Sequence, residues 1–133
     1  MGEPQALTDL QLVILRVLWD RGSATAAEIT DALRSTRGLA QQTIATILSR
    51  LEKRGIVRHD TQQRQYVYSA VVSEPDVRRT MLAELTDRVF EGDVAALVSQ
   101  LLNTSEMSPG DLARVKALIA DHEVTGTVPH DES

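Results

Sequence analysis

Between Gln41 and Arg54 the chain reads QQTIATILSRLEKR, and its polar residues recur at a spacing suited to reading nucleic acid. Wound as a helix, the segment puts Gln42, Thr46, Ser49 and Lys53 on one face, flanked by Thr43, Ala45 and Arg50. Ile44, Ile47, Leu48 and Leu51 fall on the opposite face as an inward stripe. An ordinary exposed helix face is rich in glutamate and lysine; this one offers short hydroxyls, amides and an alanine before its cations begin. Short side chains let a helix axis come close to a partner. In the DNA major groove glutamine pairs with adenine, arginine with guanine, serine and threonine with several edges, and alanine or a threonine methyl with the thymine methyl. Base readout is expected from Gln42, Thr43, Thr46 and Arg50, supported by Gln41, Ala45 and Ser49, with Lys53 and Arg54 on phosphates. The competing reading is a solvated polar face on a small helical domain.

The elements that position this face can be read outward from it. Thr8 can cap a first helix carrying Leu12, Ile14, Leu15, Val17, Leu18 and Trp19 and ending at Gly22. Thr25, with Glu28 three residues on, opens a second helix of roughly 10 residues whose Ile29, Ala32 and Leu33 face inward. Gly38 breaks the chain, and the helix of interest runs from near Ala40 to Gly55. Beyond it IVRHD and QYVYSAVV are β-branched or aromatic runs separated by TQQR, which predicts a hairpin. Gln63 and Arg64 lie near its tip, and Tyr66 and Tyr68, on one side, are expected to pack toward the core. The order helix, helix, helix, strand, strand suits a helix-turn-helix with a wing. A basic wing tip can reach flanking phosphate or the minor groove, and Thr25 is expected to offer its backbone amide to phosphate.

Helical periodicity returns from Pro75. Val77, Met81 and Leu85 lie on one stripe, Val94, Leu97, Val98, Leu101 and Leu102 on a second, and Leu112, Val115, Leu118 and Ile119 on a third that follows Ser108-Pro109. Three short amphipathic helices bury too little surface to close a core, so these stripes are expected to pack against a second copy of the chain. The end, VTGTVPHDES, is polar and is expected to be disordered.

Charge is distributed to match. The 133 residues carry a net charge of -5, but segment 34–64 holds seven Lys/Arg against two Asp/Glu, and residues 73–133 hold five against twelve. A basic face thus sits inside an acidic chain, as steered contact with a polyanion requires. With no cysteine there is no thiolate metal site and no cysteine nucleophile, and His59, His122 and His130 show no ligand spacing. No histidine stands beside a candidate nucleophile and no glycine-rich phosphate loop is present, so neither an enzyme nor a cofactor is expected. The chain has no apolar run long enough for a membrane span and no secretion signal, which predicts a cytoplasmic protein.

Three motifs in order carry a resemblance: LTDLQLVILRVLW over 7–19, LAQQTIATILSRLEKRGIV over 39–57, and RQYVY over 64–68. With VFEGDVAALVSQLL over 89–102 and MSPGDL over 107–112, the pattern resembles the penicillinase-repressor family, of BlaI/MecI/CopY type. The family's usual stretch reads closer to Leu-Ala-Tyr-Thr-Thr-Val-x-Thr, from which Gln41 and Gln42 depart while Thr43 and Thr46 match. The resemblance implies a winged-helix transcriptional repressor that dimerises through its C-terminal helices and binds an inverted-repeat operator. It also implies an inactivating protease as a partner, with Gln100-Leu101 at the position of the cleaved bond.

The fold class expected is mainly α: a winged helix-turn-helix over 1–72, a helical dimerisation region over 73–123 and a flexible tail over 124–133. The expected activity is sequence-specific double-stranded DNA binding by a homodimeric repressor, with the recognition helix at about 40–54. A winged-helix module that binds protein, or a small-ligand-responsive regulator, are the alternatives.

Overall fold

The computed structural model describes residues 7–103 and 107–130, with side chains through 124 in the second stretch. Two threonines start the fold. Thr8 accepts from the Gln11 amide while Gln11 reaches back to the Thr8 N–H, both at 3.1 Å, and α1 (Asp9–Arg21) follows. The same reciprocal box joins Thr25 and Glu28 at the start of α2 (Ala26–Ala32). Each box satisfies two amides that a helix start otherwise leaves open. The third helix, α3, spans Gln41–Lys53. It ends where the Gly55 and Ile56 amides bond back to Glu52 and Leu51, with Gly55 at φ 79, a left-handed conformation that a side chain would strain.

The hairpin pairs β2 (Val57–Gln62) with β3 (Gln65–Ala70), antiparallel. Its connection is tighter than the expected TQQR loop, since Thr61 and Gln62 belong to β2 and only Gln63 and Arg64 make the turn. Both have positive φ, 51° and 67°, which matches a two-residue turn following the right-handed strand twist. A short strand that periodicity did not reveal, β1 (Ala24–Thr25), pairs with the other edge of β3, giving the order β1-β3-β2.

Ile14, Leu15 and Leu18 of α1, Ile29 of α2, and Ile44, Leu48 and Leu51 of α3 form one core with Ile56, Val57 and Tyr68. Trp19 packs against it half-buried and donates its indole N–H to the Val72 carbonyl at 3.0 Å, tying α1 to the chain beyond the wing. The second helix is shorter than expected, ending where the Arg34 amide bonds to the Asp31 carbonyl, three residues back, instead of continuing the four-residue pattern. Leu33 and Ile29 are buried, but Ala32, expected inward, is exposed.

The chain divides into two compact units, the first running through Leu85 and the second from Thr86. The second contains the end of α4 (Glu74–Phe90), then α5 (Val94–Leu102) and α6 (Pro109–His130). Ser108 caps α6 by accepting from the Asp111 amide at 3.1 Å. The expected tail from 124 is helical through His130, because helix propagation adds one bond per residue once the cost of nucleation has been met. Residues 131–133 of that tail lie outside the described residues. Val77, placed by periodicity in a dimer seam, is buried within its own chain at 1% exposure and is withdrawn from that set.

Candidate nucleic-acid interface

The inward stripe of α3 is anchored as its spacing demands: Ile44, Leu48 and Leu51 are fully buried, and Ile47 is half-buried. That anchorage turns the opposite face to solvent. Gln41, Gln42, Thr43, Thr46, Ser49, Arg50 and Lys53 are exposed, and Ala45 and Arg54 are half-buried at its margins. Gln42, Ala45, Thr46, Ser49, Arg50 and Lys53 line one shallow continuous surface that contains no carboxylate.

Its cations are available. Arg34 pairs with Asp31 and Arg58 with Asp60, but among the described residues Arg50, Lys53 and Arg64 have no carboxylate partner. These exposed cations are the ones expected to meet DNA. Gln63 and Arg64 are themselves the two turn residues of the wing. A left-handed turn is built at least cost from Asn-Gly, and a non-glycine residue there carries strain. Placing glutamine and arginine in it holds an exposed guanidinium at the farthest point of the hairpin.

One local bond and one missing cap refine the outward face of α3. The Thr46 hydroxyl donates to the Gln42 carbonyl at 3.0 Å, so its proton is committed within the helix. Outward it presents a methyl and acceptor lone pairs, which suit a thymine methyl or an amino group on adenine or cytosine. Ala40, the N-cap of α3, makes no side-chain cap bond, whereas α1, α2, α4, α5 and α6 are all capped by a Thr, Ser or Asp side chain. The start of α3 therefore keeps amides open.

Thr25 requires a correction. Its backbone N–H donates to the Glu28 carboxylate at 2.9 Å, so the amide expected to hold phosphate is already spent inside the capping box. Tyr66 is also placed differently. Tyr68 is buried as expected, but Tyr66 is 54% exposed and stacks on His59, with ring centroids 3.9 Å apart. His59 is not a lone strand histidine either, since its Nδ1 lies 2.8 and 2.7 Å from the two Glu52 carboxylate oxygens. Glu52, the one acidic residue of α3, is thereby engaged by the wing and held from the cationic face. Burial, then the nearby Glu52 and Tyr66, raise the Tyr68 hydroxyl above its ordinary value and keep it protonated. The alternating aromatics were visible in sequence, but the helix-to-strand contact seven residues apart was not.

Among the described residues no cluster of His, Asp or Glu could hold a metal ion, and no helix is long and apolar enough to cross a membrane.

Comparison with known proteins agrees with this geometry. The profile of the Penicillinase repressor family matches residues 7–121. The penicillinase repressor of Bacillus licheniformis is 24% identical over 117 residues, 88% of this chain and 91% of that one. The methicillin resistance regulatory protein MecI of Staphylococcus aureus (strain N315) is 19% identical over 106 residues, 80% of this chain and 86% of that one. The solution structure of the DNA-binding domain of the repressor BlaI aligns at 30% identity with a TM-score of 0.51, covering 57% of this chain and 93% of that domain. With its winged helix built as described and the profile spanning most of its length, the chain belongs to the penicillinase repressor family, a family of transcriptional repressors and not of enzymes.

Proposed function

We propose that this DNA-binding transcriptional repressor acts as a homodimer on an inverted-repeat operator, with α3 in the major groove and the β2–β3 wing against the flanking backbone. The observation that carries the reading is the outward face of α3: a continuous surface of short polar side chains ending in Arg50 and Lys53, with no carboxylate among them. Gln42, Thr43, Thr46 and Arg50 read bases, supported by Gln41, Ala45 and Ser49. Lys53, Arg54, Gln63 and Arg64 hold the backbone. The cytoplasm is the compartment where such an operator lies.

Dimerisation is supported by what the second unit leaves uncovered. In α5, VAALVSQLL, only Leu97 is buried, while Val94 is 62% and Leu101 51% exposed. Leu102, Leu112, Leu118 and Ile119 are exposed as well. Apolar side chains left open on this scale mark an interface. A second copy covers it, with the half-buried Val98 and Val115 joining the contact, and the α4 stripe of Met81 and Leu85 is a further surface for that copy. A two-fold axis then sets the recognition helices about one helical turn of DNA apart, on the order of 34 Å or a multiple of it. An inactivating protease is the further partner. Gln100-Leu101 lies within α5, so cleavage there requires that helix to open first.

Selection of the purified full chain against a random duplex library, followed by sequencing of the retained DNA, tests the proposal. Enrichment of an inverted repeat is expected. A folded dimer that enriches nothing would move the reading to a winged-helix module that binds protein.

A further inference from the structure

Between α3 and the wing lies a recess of about 200 Å³ whose wing side, Gln65 and Tyr66, takes no part in the base and phosphate contacts above. Its walls are Thr25 with Ala26 and Ala27 of α2, Gln41 and Ala45 of α3, and Gln65, Tyr66 and Tyr68 of β3. Ala45 also lines the outward face of α3, so the recess continues the recognition surface. No charged side chain lines it. It is smaller than the roughly 300 Å³ at which small-molecule sites begin.

Tyr66 is the residue here without a structural account. More than half of it is exposed, yet it is not loose. His59 stacks on the ring at an interplanar angle of 15°, Tyr68 meets it edge-on, and both Glu52 oxygens hold His59 from behind. A large ring fixed in advance and left open to solvent loses little freedom when a partner covers it.

We propose that Tyr66 is a direct DNA contact: the recess seats the sugar-phosphate strand bordering the major groove, and the Tyr66 hydroxyl donates to a phosphate oxygen beside the Gln41 and Gln65 amides. Glu52 and His59 are positioning residues that hold the ring. The inference rests on α3 being the recognition helix, because a duplex lying on that face places its nearer strand where Ala45 joins the recess. Every donor in the recess is neutral. Binding there adds hydrogen bonds without replacing counterions, so its loss lowers affinity without changing the salt dependence.

The test uses the full chain, the operator recovered by selection and a random duplex of equal length, with affinities measured across a salt series. Tyr66→Phe is expected to weaken both complexes about tenfold at an unchanged salt slope, as loss of one hydrogen bond to a charged acceptor implies, and Tyr66→Ala at least as much. Tyr66→Phe keeps the ring on His59, so its thermal unfolding should match that of wild type. His59→Ala should weaken binding by wild type but cost nothing more in the Tyr66→Ala background, since it acts through the ring. Wild-type affinity in Tyr66→Ala overturns the contact. So does a changed salt slope, which would mean the ring merely holds Arg64 in place. Failure of the wild-type chain to bind any duplex would instead remove the repressor reading itself, and the contact with it.

Discussion

The two units use the same residue types to opposite ends. In the first, Ile14, Leu15, Ile29, Ile44, Leu48 and Leu51 have no exposed surface at all. In the second, leucines and valines of equal periodicity stand open, Leu118 at 66% among them. Up to the end of the wing the first unit crosses three helices and a sheet around one centre, so the apolar stripes of α1, α2 and α3 meet one another within the chain. The second offers stripes with too few partners. An amphipathic helix thus specifies that something must cover it, and only the count of available faces tells whether the cover comes from the same chain.

Breaking the self-contained core should have the largest effect. Leu48→Ala is expected to destabilise the folded chain by about 2–5 kcal/mol, because it empties a fully buried site beneath the recognition face. Urea unfolding followed by Trp19 fluorescence measures it; a change near zero would mean that α3 is not held by this core.

In the second unit the same kind of residue should behave differently. Leu118→Asp is expected to leave the urea transition of the first unit in place while producing monomers, visible by sedimentation. Operator binding should fall by about 10²-fold once the two half-sites are no longer linked. An intact dimer would refute the seam. Leu118 and Leu101 are sharper probes than Leu97, whose burial makes a charge there disruptive within the monomer.

Smaller effects separate roles along α3. Arg50→Ala should cost roughly 1–3 kcal/mol on the operator and less on random duplex, because a base contact carries discrimination. Equal losses on both sequences would make Arg50 a backbone contact. Lys53→Ala should reduce the slope of log affinity against log salt by about 0.9, the amount released per phosphate contact. An unaltered slope removes Lys53 from the footprint. Set beside the slope-neutral loss expected for Tyr66→Ala, this pair distinguishes charged from neutral backbone contacts.

Much of the architecture was legible because its signals are local. Thr8 with Gln11, Thr25 with Glu28 and Ser108 with Asp111 mark helix starts through bonds three residues apart, and Gly22 and Gly55 mark ends. The spacing of Ile44, Leu48 and Leu51 oriented α3 and thus fixed which of its sides meets solvent. The strand Ala24–Thr25 was illegible because two residues have no period, and it exists only as an edge partner for Tyr68 and Val67. The overlong second helix has a similar cause, since nothing in ITDALRS announces that the Arg34 amide will bond to Asp31, three residues back.

At the interface the division is the same. The kinds of side chain on α3, the cation at the hairpin tip and the excess of apolar surface after residue 85 were determined by sequence, since each depends only on composition and helical or strand period. Which groups remain free was decided by the tertiary structure. Folding spent the Thr25 amide on Glu28, tied Glu52 to His59, buried Val77 and left Tyr66 outside, because hydrogen bonds and exposure depend on which segments meet in space, and that meeting has no local signature.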